Sequence, residues 1–170
     1  AKAATDLGRV YEEDLQNIES GGVMESAERD LSDRAKKRGK KALGTLGSGN
    51  HFLEVQMVDK VVDTTAAKEF GLHEGELTVM IHTGSRGLGH QVCSDHVKAI
   101  EAEYHEIGGR WVSQKWGFDI ADRQLACAPI HSREGQAYLD SMRAAGNFAF
   151  ANRSALTERV RQSVGISMKF

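Results

Sequence analysis

Two glycine-rich segments, each adjoining a run of alternating apolar residues, constrain this chain more than anything else in it. Gly44-Thr45-Leu46-Gly47-Ser48-Gly49-Asn50-His51 is too rich in glycine to continue a helix, so it reads as a loop. It leads into Leu53, Val55 and Met57, which alternate with Glu54 and Gln56 as in a half-buried strand. Leu77, Val79 and Ile81 form a second alternating run with His82 at its exit, and Gly84, Gly87 and Gly89 then break the pattern. Each glycine segment thus sits at a strand end and carries an imidazole beside polar or charged groups.

Helical spacing accounts for most of what remains. Leu7, Val10, Tyr11, Leu15 and Ile18 predict a helix closed by Gly21-Gly22, and a more polar helix is expected from Glu25 to Lys37, ending near Gly39. A third is expected over His90–Ile107, with Cys93, Val97, Ile100, Tyr104 and Ile107 on one face and Gly108-Gly109 past its end. Leu125 to Ile130 predicts a short buried strand stopped by Pro129, and Ser132 is a suitable N-cap for a long helix with Glu134 in its first turn. The expected architecture is an α+β domain over residues 1–170, a mixed sheet with packed helices and its polar loops at strand exits.

Composition narrows the class. With 40% hydrophobic and 27% charged residues the chain is a soluble globular one rather than a disordered one. No apolar run approaches the ~20 residues of a membrane span, and the N-terminus lacks an apolar signal core. Cys93 and Cys127 stand far apart in no Cys-x-x-Cys pattern, which fits free thiols in a reducing, cytoplasmic setting. A net charge of −2 argues against whole-surface attraction to nucleic acid. Between Arg34 and Lys41, however, six of eight residues are Lys or Arg. That run suits either phosphate attraction or a solvated helix end.

The chemistry centres on the loops. Gly44, Gly47 and Gly49 expose backbone N–H groups to an anion, although no Lys-Ser/Thr follows to make a P-loop, and a tight turn is by itself the simpler use of them. Strand alternation would put Asn50 and Glu54 on one face, offering an amide and a carboxylate to a ligand, while His51 faces a metal. His82 is the matching imidazole, and Arg86, held between glycines, suits bidentate phosphate contact. Two histidines make at most half of a metal site. Cys93 and His96 have ligand-compatible spacing on a helix, but a core Cys beside a half-buried His is the simpler reading of it. No Gly-x-Ser-x-Gly elbow surrounds Ser48.

The run from Gly44 to Glu54 resembles the GTLGSGNHFxE signature of RtcB-type RNA-splicing ligases, and His82 to Gln91 resembles that family's HxGSRGxGHQ segment. Leu125–Ile130 and Gly146–Arg153 are similar to later family blocks in the same order. The resemblance implies a GTP- and Mn²⁺-dependent ligase that joins RNA 2′,3′-cyclic phosphate or 3′-phosphate ends to 5′-hydroxyl ends through a guanylylated histidine. It implies that His51 and His82 each bind one of two Mn²⁺ ions, that Asn50 and Glu54 contact the guanylate, and that Arg86 contacts phosphate or RNA. The family's Asp-x-x-Cys, its third metal His and its guanylylated His have no counterpart here. The expectation is therefore a central fragment with no nucleophile of its own, inactive in isolation. Two other readings stand beside it: a metal-dependent phosphoesterase built on His51 and His82, and a non-catalytic RNA- or metal-binding module.

Overall fold

The computed structural model describes residues 12–27 and 31–165. The α+β class is as expected, with four α-helices and two small antiparallel sheets among the described residues. The helices are α1 (Asp33–Ala42), α2 (Thr64–Phe70), α3 (Arg86–Glu101) and α4 (Arg133–Val164), and the strands are β1 (Phe52–Met57), β2 (Leu77–His82), β3 (His105–Ile107), β4 (Arg110–Ser113) and β5 (Phe118–Ile120). Among the described residues no helix is long and apolar enough to cross a membrane.

The core lies where α1, α3 and α4 meet, and consists of Ala35, Leu88, Val92 and Ala145 with Leu31 and Phe148 packed against it. Small residues set the spacing. A Cβ on Gly39 would lie 2.7 Å from Leu88 Cδ1, so the α1–α3 crossing needs glycine there. Ser32 caps α1 by accepting the Ala35 N–H and donates its own hydroxyl to Asp95 on α3 at 2.7 Å. That bond and one from Gln91 hold the Asp95 carboxyl below the usual carboxylate range. The Ser32 cap also explains why the helix expected over Glu25–Lys37 runs instead over Asp33–Ala42: a capping hydroxyl with Asp33 behind it outweighs the polar stretch before it.

Other expectations shift for similar local reasons. In the first predicted helix, residues 12–17 and 19–22 form 3-10 turns, with Ser20 and Gly21 at positive φ, and residues 1–11 lie outside the described residues. The third helix begins at Arg86, not His90, and ends at Glu101. Its buried face is Leu88, Gln91 and Val92, whereas Cys93 and Val97 are exposed. Tyr104 is buried beyond its end, donating to the Cys127 carbonyl at 2.7 Å, and burial pushes its hydroxyl pKa up to about 12. Ile107 ends a strand.

Gly108-Gly109 form the two-residue turn between β3 and β4, both at positive φ as that hairpin requires. Leu125 closes a 3-10 turn, and Leu125 and Ile130 are exposed, so the buried strand expected there does not form. The sole proline removes an N–H from that stretch. The helix capped by Ser132 does form, with Ser132 Oγ accepting the Gly135 N–H at 3.0 Å, and it extends to Val164.

β1 and β2 pair antiparallel in the register Phe52↔His82, Leu53↔Ile81, Val55↔Val79 and Met57↔Leu77. Directly paired residues share a face, so the alternation read from sequence produces one apolar face and one bearing Glu54 and His82. The apolar face is only half covered. Val55, Met57 and Leu77 are 65%, 62% and 69% exposed, and a groove of about 690 Å³ separates Leu77, Val79 and Ile81 from Phe150 and Val160 of α4.

Candidate metal and phosphate site

The β1–β2 register brings the two glycine loops to one end of the ribbon. His82 pairs with Phe52, one residue after His51, so the two imidazoles meet with ring centroids 6.3 Å apart. The Phe52 ring stacks on His82 at 5.2 Å and 10°, which fixes the exposed imidazole against the ribbon. His51 Nδ1 is buried and, among the described residues, has no hydrogen-bond partner. An orphaned imidazole nitrogen beside a second imidazole is the donor set expected of part of a transition-metal site.

Arg86 enters the same cleft from α3. It is the first residue of the helix and has a positive φ of 51°, a conformation unfavourable for a residue with a side chain. Its guanidinium folds back over the first loop, Nε donating to Thr45 Oγ1 at 3.3 Å. A Cβ on Gly47, at φ 107°, would strike both this guanidinium and His51 Nδ1. Gly47 therefore makes room for a cation and an imidazole to approach each other. Ser85, the N-cap of α3, makes no side-chain capping bond, and the positive end of the helix lies at Arg86. The cleft joins a guanidinium, a helix start and a free imidazole nitrogen, a set that suits an anion next to a metal ion.

Of the predicted site residues, His51, His82 and Arg86 converge. Asn50 lies in the exposed turn before β1, so strand alternation does not extend to it and it does not share a strand face with Glu54. Glu54 shares the ribbon face of Phe52 and His82, and its carboxylate accepts the Gln56 amide at 3.0 Å. Among the described residues no three of His, Cys, Asp and Glu come together as a metal cluster. The two imidazoles would suit part of a transition-metal site, to which the described residues bring no third His, Cys, Asp or Glu. Cys93 and His96 form neither a ligand pair nor a core pair, since Cys93 is exposed and His96 Nε2 bonds Ser141 Oγ at 2.8 Å. None of the five predicted residues lines the 690 Å³ groove, which lies on the apolar side of the ribbon.

The sequence matches the family model described as tRNA-splicing ligase RtcB over residues 1–169. This chain belongs to that family. It is 51% identical over 164 residues to the tRNA-splicing ligase RtcB of Pyrococcus furiosus, covering 96% of this chain and 16% of the relative. The RNA-splicing ligase RtcB of Mycobacterium tuberculosis is 52% identical over 163 residues, covering 95% and 36%. The tRNA-splicing ligase RtcB of Thermococcus kodakarensis is 51% identical over 164 residues, covering 96% and 32%. The chain thus spans between about a sixth and a little over a third of the length of these RtcB relatives.

One side of this RtcB segment's cleft is built by residues for which no site role is expected from sequence. Asn152 and Arg153, deep in α4, reach both loops: Asn152 bonds Gly44, Thr45 and Gly84, and Arg153 Nη1 donates to the Thr83 carbonyl at 3.2 Å. Burial lowers the Arg153 pKa from its ordinary value. The available signal was the Gly146–Arg153 block itself, which ends on the two polar residues Asn152 and Arg153. The basic run also has a definite place. It forms most of α1, where Arg38 Nη1 donates to Gln91 at 3.1 Å and meets His90 at 3.4 Å, next to Gly87 in the first turn of α3.

Proposed function

We propose that this chain is the part of a GTP- and Mn²⁺-dependent RNA ligase that supplies one wall of the metal and guanylate pocket. The whole enzyme would join RNA 2′,3′-cyclic phosphate or 3′-phosphate ends to 5′-hydroxyl ends through a guanylylated histidine contributed from elsewhere in an RtcB-length protein. The observation that carries the assignment is the buried His51 Nδ1, without a hydrogen-bond partner among the described residues, on a ring centred 6.3 Å from that of His82 and beside the Arg86 guanidinium. A bound Mn²⁺ would supply charge neutralisation for a polyphosphate.

In this reading His51 and His82 hold metal, one to each of two ions. Asn50 and Glu54 contact the guanylate from the turn and from the ribbon face beside His82. Arg86 holds a phosphate oxygen, and its strained backbone is tolerated because it aims the guanidinium into the cleft. The cationic α1, one helix away, draws the RNA backbone toward the opening and makes binding salt-sensitive. A stand-alone phosphoesterase needs more ligands than the described residues bring together.

The test uses the 170-residue chain with α-phosphate-labelled GTP and Mn²⁺. Mn²⁺-dependent retention of GTP is expected, with no covalent GMP adduct, and His82→Ala should lower retention about tenfold or more. A covalent GMP adduct that survives alkali and is lost in acid, as a histidine phosphoramidate does, would refute the absence of a nucleophile. Retention indifferent to both Mn²⁺ and His82→Ala would refute the site.

A further inference from the structure

Asn152 makes four hydrogen bonds through its side-chain amide, and none of them serves its own helix. It is 0% exposed in the middle of α4. Its Oδ1 accepts the Gly44 N–H at 2.7 Å and the Thr45 N–H at 3.2 Å, while its Nδ2 donates to the carbonyls of Thr45 and Gly84, both at 3.2 Å. A carboxamide has two acceptor positions and two donors, so all four are used. Only one orientation of the amide satisfies the two N–H groups and the two carbonyls at once. No other residue type of that size offers an acceptor pair to one backbone stretch and a donor to another.

The two stretches it joins are the two that carry the site. Gly44 and Thr45 begin the loop that delivers Asn50 and His51, and Gly84 lies between His82 and Arg86. Thr83 Oγ1, donating to the Leu46 carbonyl at 2.7 Å, joins the two loops directly, and Arg153, donating to the Thr83 carbonyl, ties the second of them to α4. We infer that Asn152 is a positioning residue for the metal and phosphate pocket, holding the His51 loop and the His82–Arg86 loop in one fixed relation. This inference rests on the reading of His51 and His82 as metal ligands. Metal sites respond to such supporting residues almost as strongly as to the ligands themselves.

Asn147, one and a half turns earlier on α4, provides the control. It makes the same kind of two-sided clamp, accepting the Met24 N–H at 2.7 Å and donating to the Met24 carbonyl at 2.9 Å, but it touches neither loop. The experiment titrates Mn²⁺ into the 170-residue chain and follows paramagnetic broadening of the His51 and His82 imidazole C–H resonances. In the parent chain both should broaden at a common midpoint. Asn152→Asp keeps the acceptors but sets an anion against the Thr45 and Gly84 carbonyls. It should raise the midpoint about tenfold or more and separate the two imidazoles. Asn147→Asp should reduce resistance to urea while leaving the Mn²⁺ midpoint unchanged.

Equal midpoints in the two variants would overturn the positioning role while leaving the metal reading intact. Absence of broadening in the parent chain would overturn the metal reading itself. Amide exchange without metal then judges the clamp: in Asn152→Asp, exchange over residues 84–87 should accelerate together with exchange over 44–47, and unchanged exchange would overturn it. Should Asn152→Asp fail to fold, Asn152→Ser replaces it in both measurements.

Discussion

At the scale of single residues, the site is built from strain and proximity that separate positions cannot show. Gly47 is the clearest instance: its φ of 107° excludes ordinary side chains, and the space a Cβ would fill already holds the Arg86 guanidinium and His51 Nδ1. Gly47→Ala should therefore lower unfolding free energy by about 1–3 kcal/mol, and in urea melts it should be worse than Gly49→Ala, where a Cβ meets nothing within 4 Å. His96 makes a second case. Burial lowers its pKa below the ordinary 6.5, against a smaller opposing pull from Asp95. The unfolded chain therefore takes up its proton at a higher pH than the folded one, and stability falls as pH drops from the ordinary value toward the depressed one. His96→Gln should shrink the loss of urea resistance between about pH 7.5 and about pH 5.5, since the substituted chain no longer carries that proton linkage. The imidazoles were legible as residue types from sequence. Their state was not, because burial and an absent partner are properties of the fold.

At the scale of elements, caps and crossings decide which expectations hold. The strands at the two glycine loops and the long helix after Ser132 were legible because each carries its own local signal: alternation, a glycine break or a capping hydroxyl. The helix over 86–101 was misassigned in its buried face because two neighbours, α1 and α4, bury Leu88 and Val92, and periodicity alone does not choose between possible stripes. The β3–β5 sheet and α2 went unread for lack of length; strands of three or four residues give periodicity too few points. Gly39 shows an element-scale effect against an intrinsic one. Alanine in mid-helix gains about 1 kcal/mol over glycine, yet here the new methyl would press on Leu88 Cδ1 at 2.7 Å and Cβ at 3.2 Å. Overpacking a buried contact costs about 1–3 kcal/mol, so Gly39→Ala should be net destabilising by urea unfolding, and Gly39→Ala with Leu88→Val should recover part of the loss.

At the scale of the whole molecule, α4 is the spine. It packs on α3, clamps Met24 through Asn147, ties both site loops through Asn152 and Arg153, and pairs Arg161 with the buried Asp14 at 2.8 Å. The apolar face of the β1–β2 ribbon leaves Val55, Met57 and Leu77 largely exposed. Val55→Thr with Leu77→Thr should change folding stability by no more than about 0.5 kcal/mol, and should reduce binding of a hydrophobic dye at neutral pH. A loss of several times that amount in urea melts would show that the face is packed rather than open. The sequence by itself determined the α+β class, the two glycine loops at strand ends, the family and the residue types of the candidate site, because strand period, glycine breaks and motif order are written along the chain. Only the tertiary structure decided that His51, His82 and Arg86 share one cleft and that Asn50 stands apart from the strand face of Glu54. It also decided that an amide far along the chain holds the cleft together. Those relations depend on hydrogen-bond register and helix packing, which join residues that no local pattern connects.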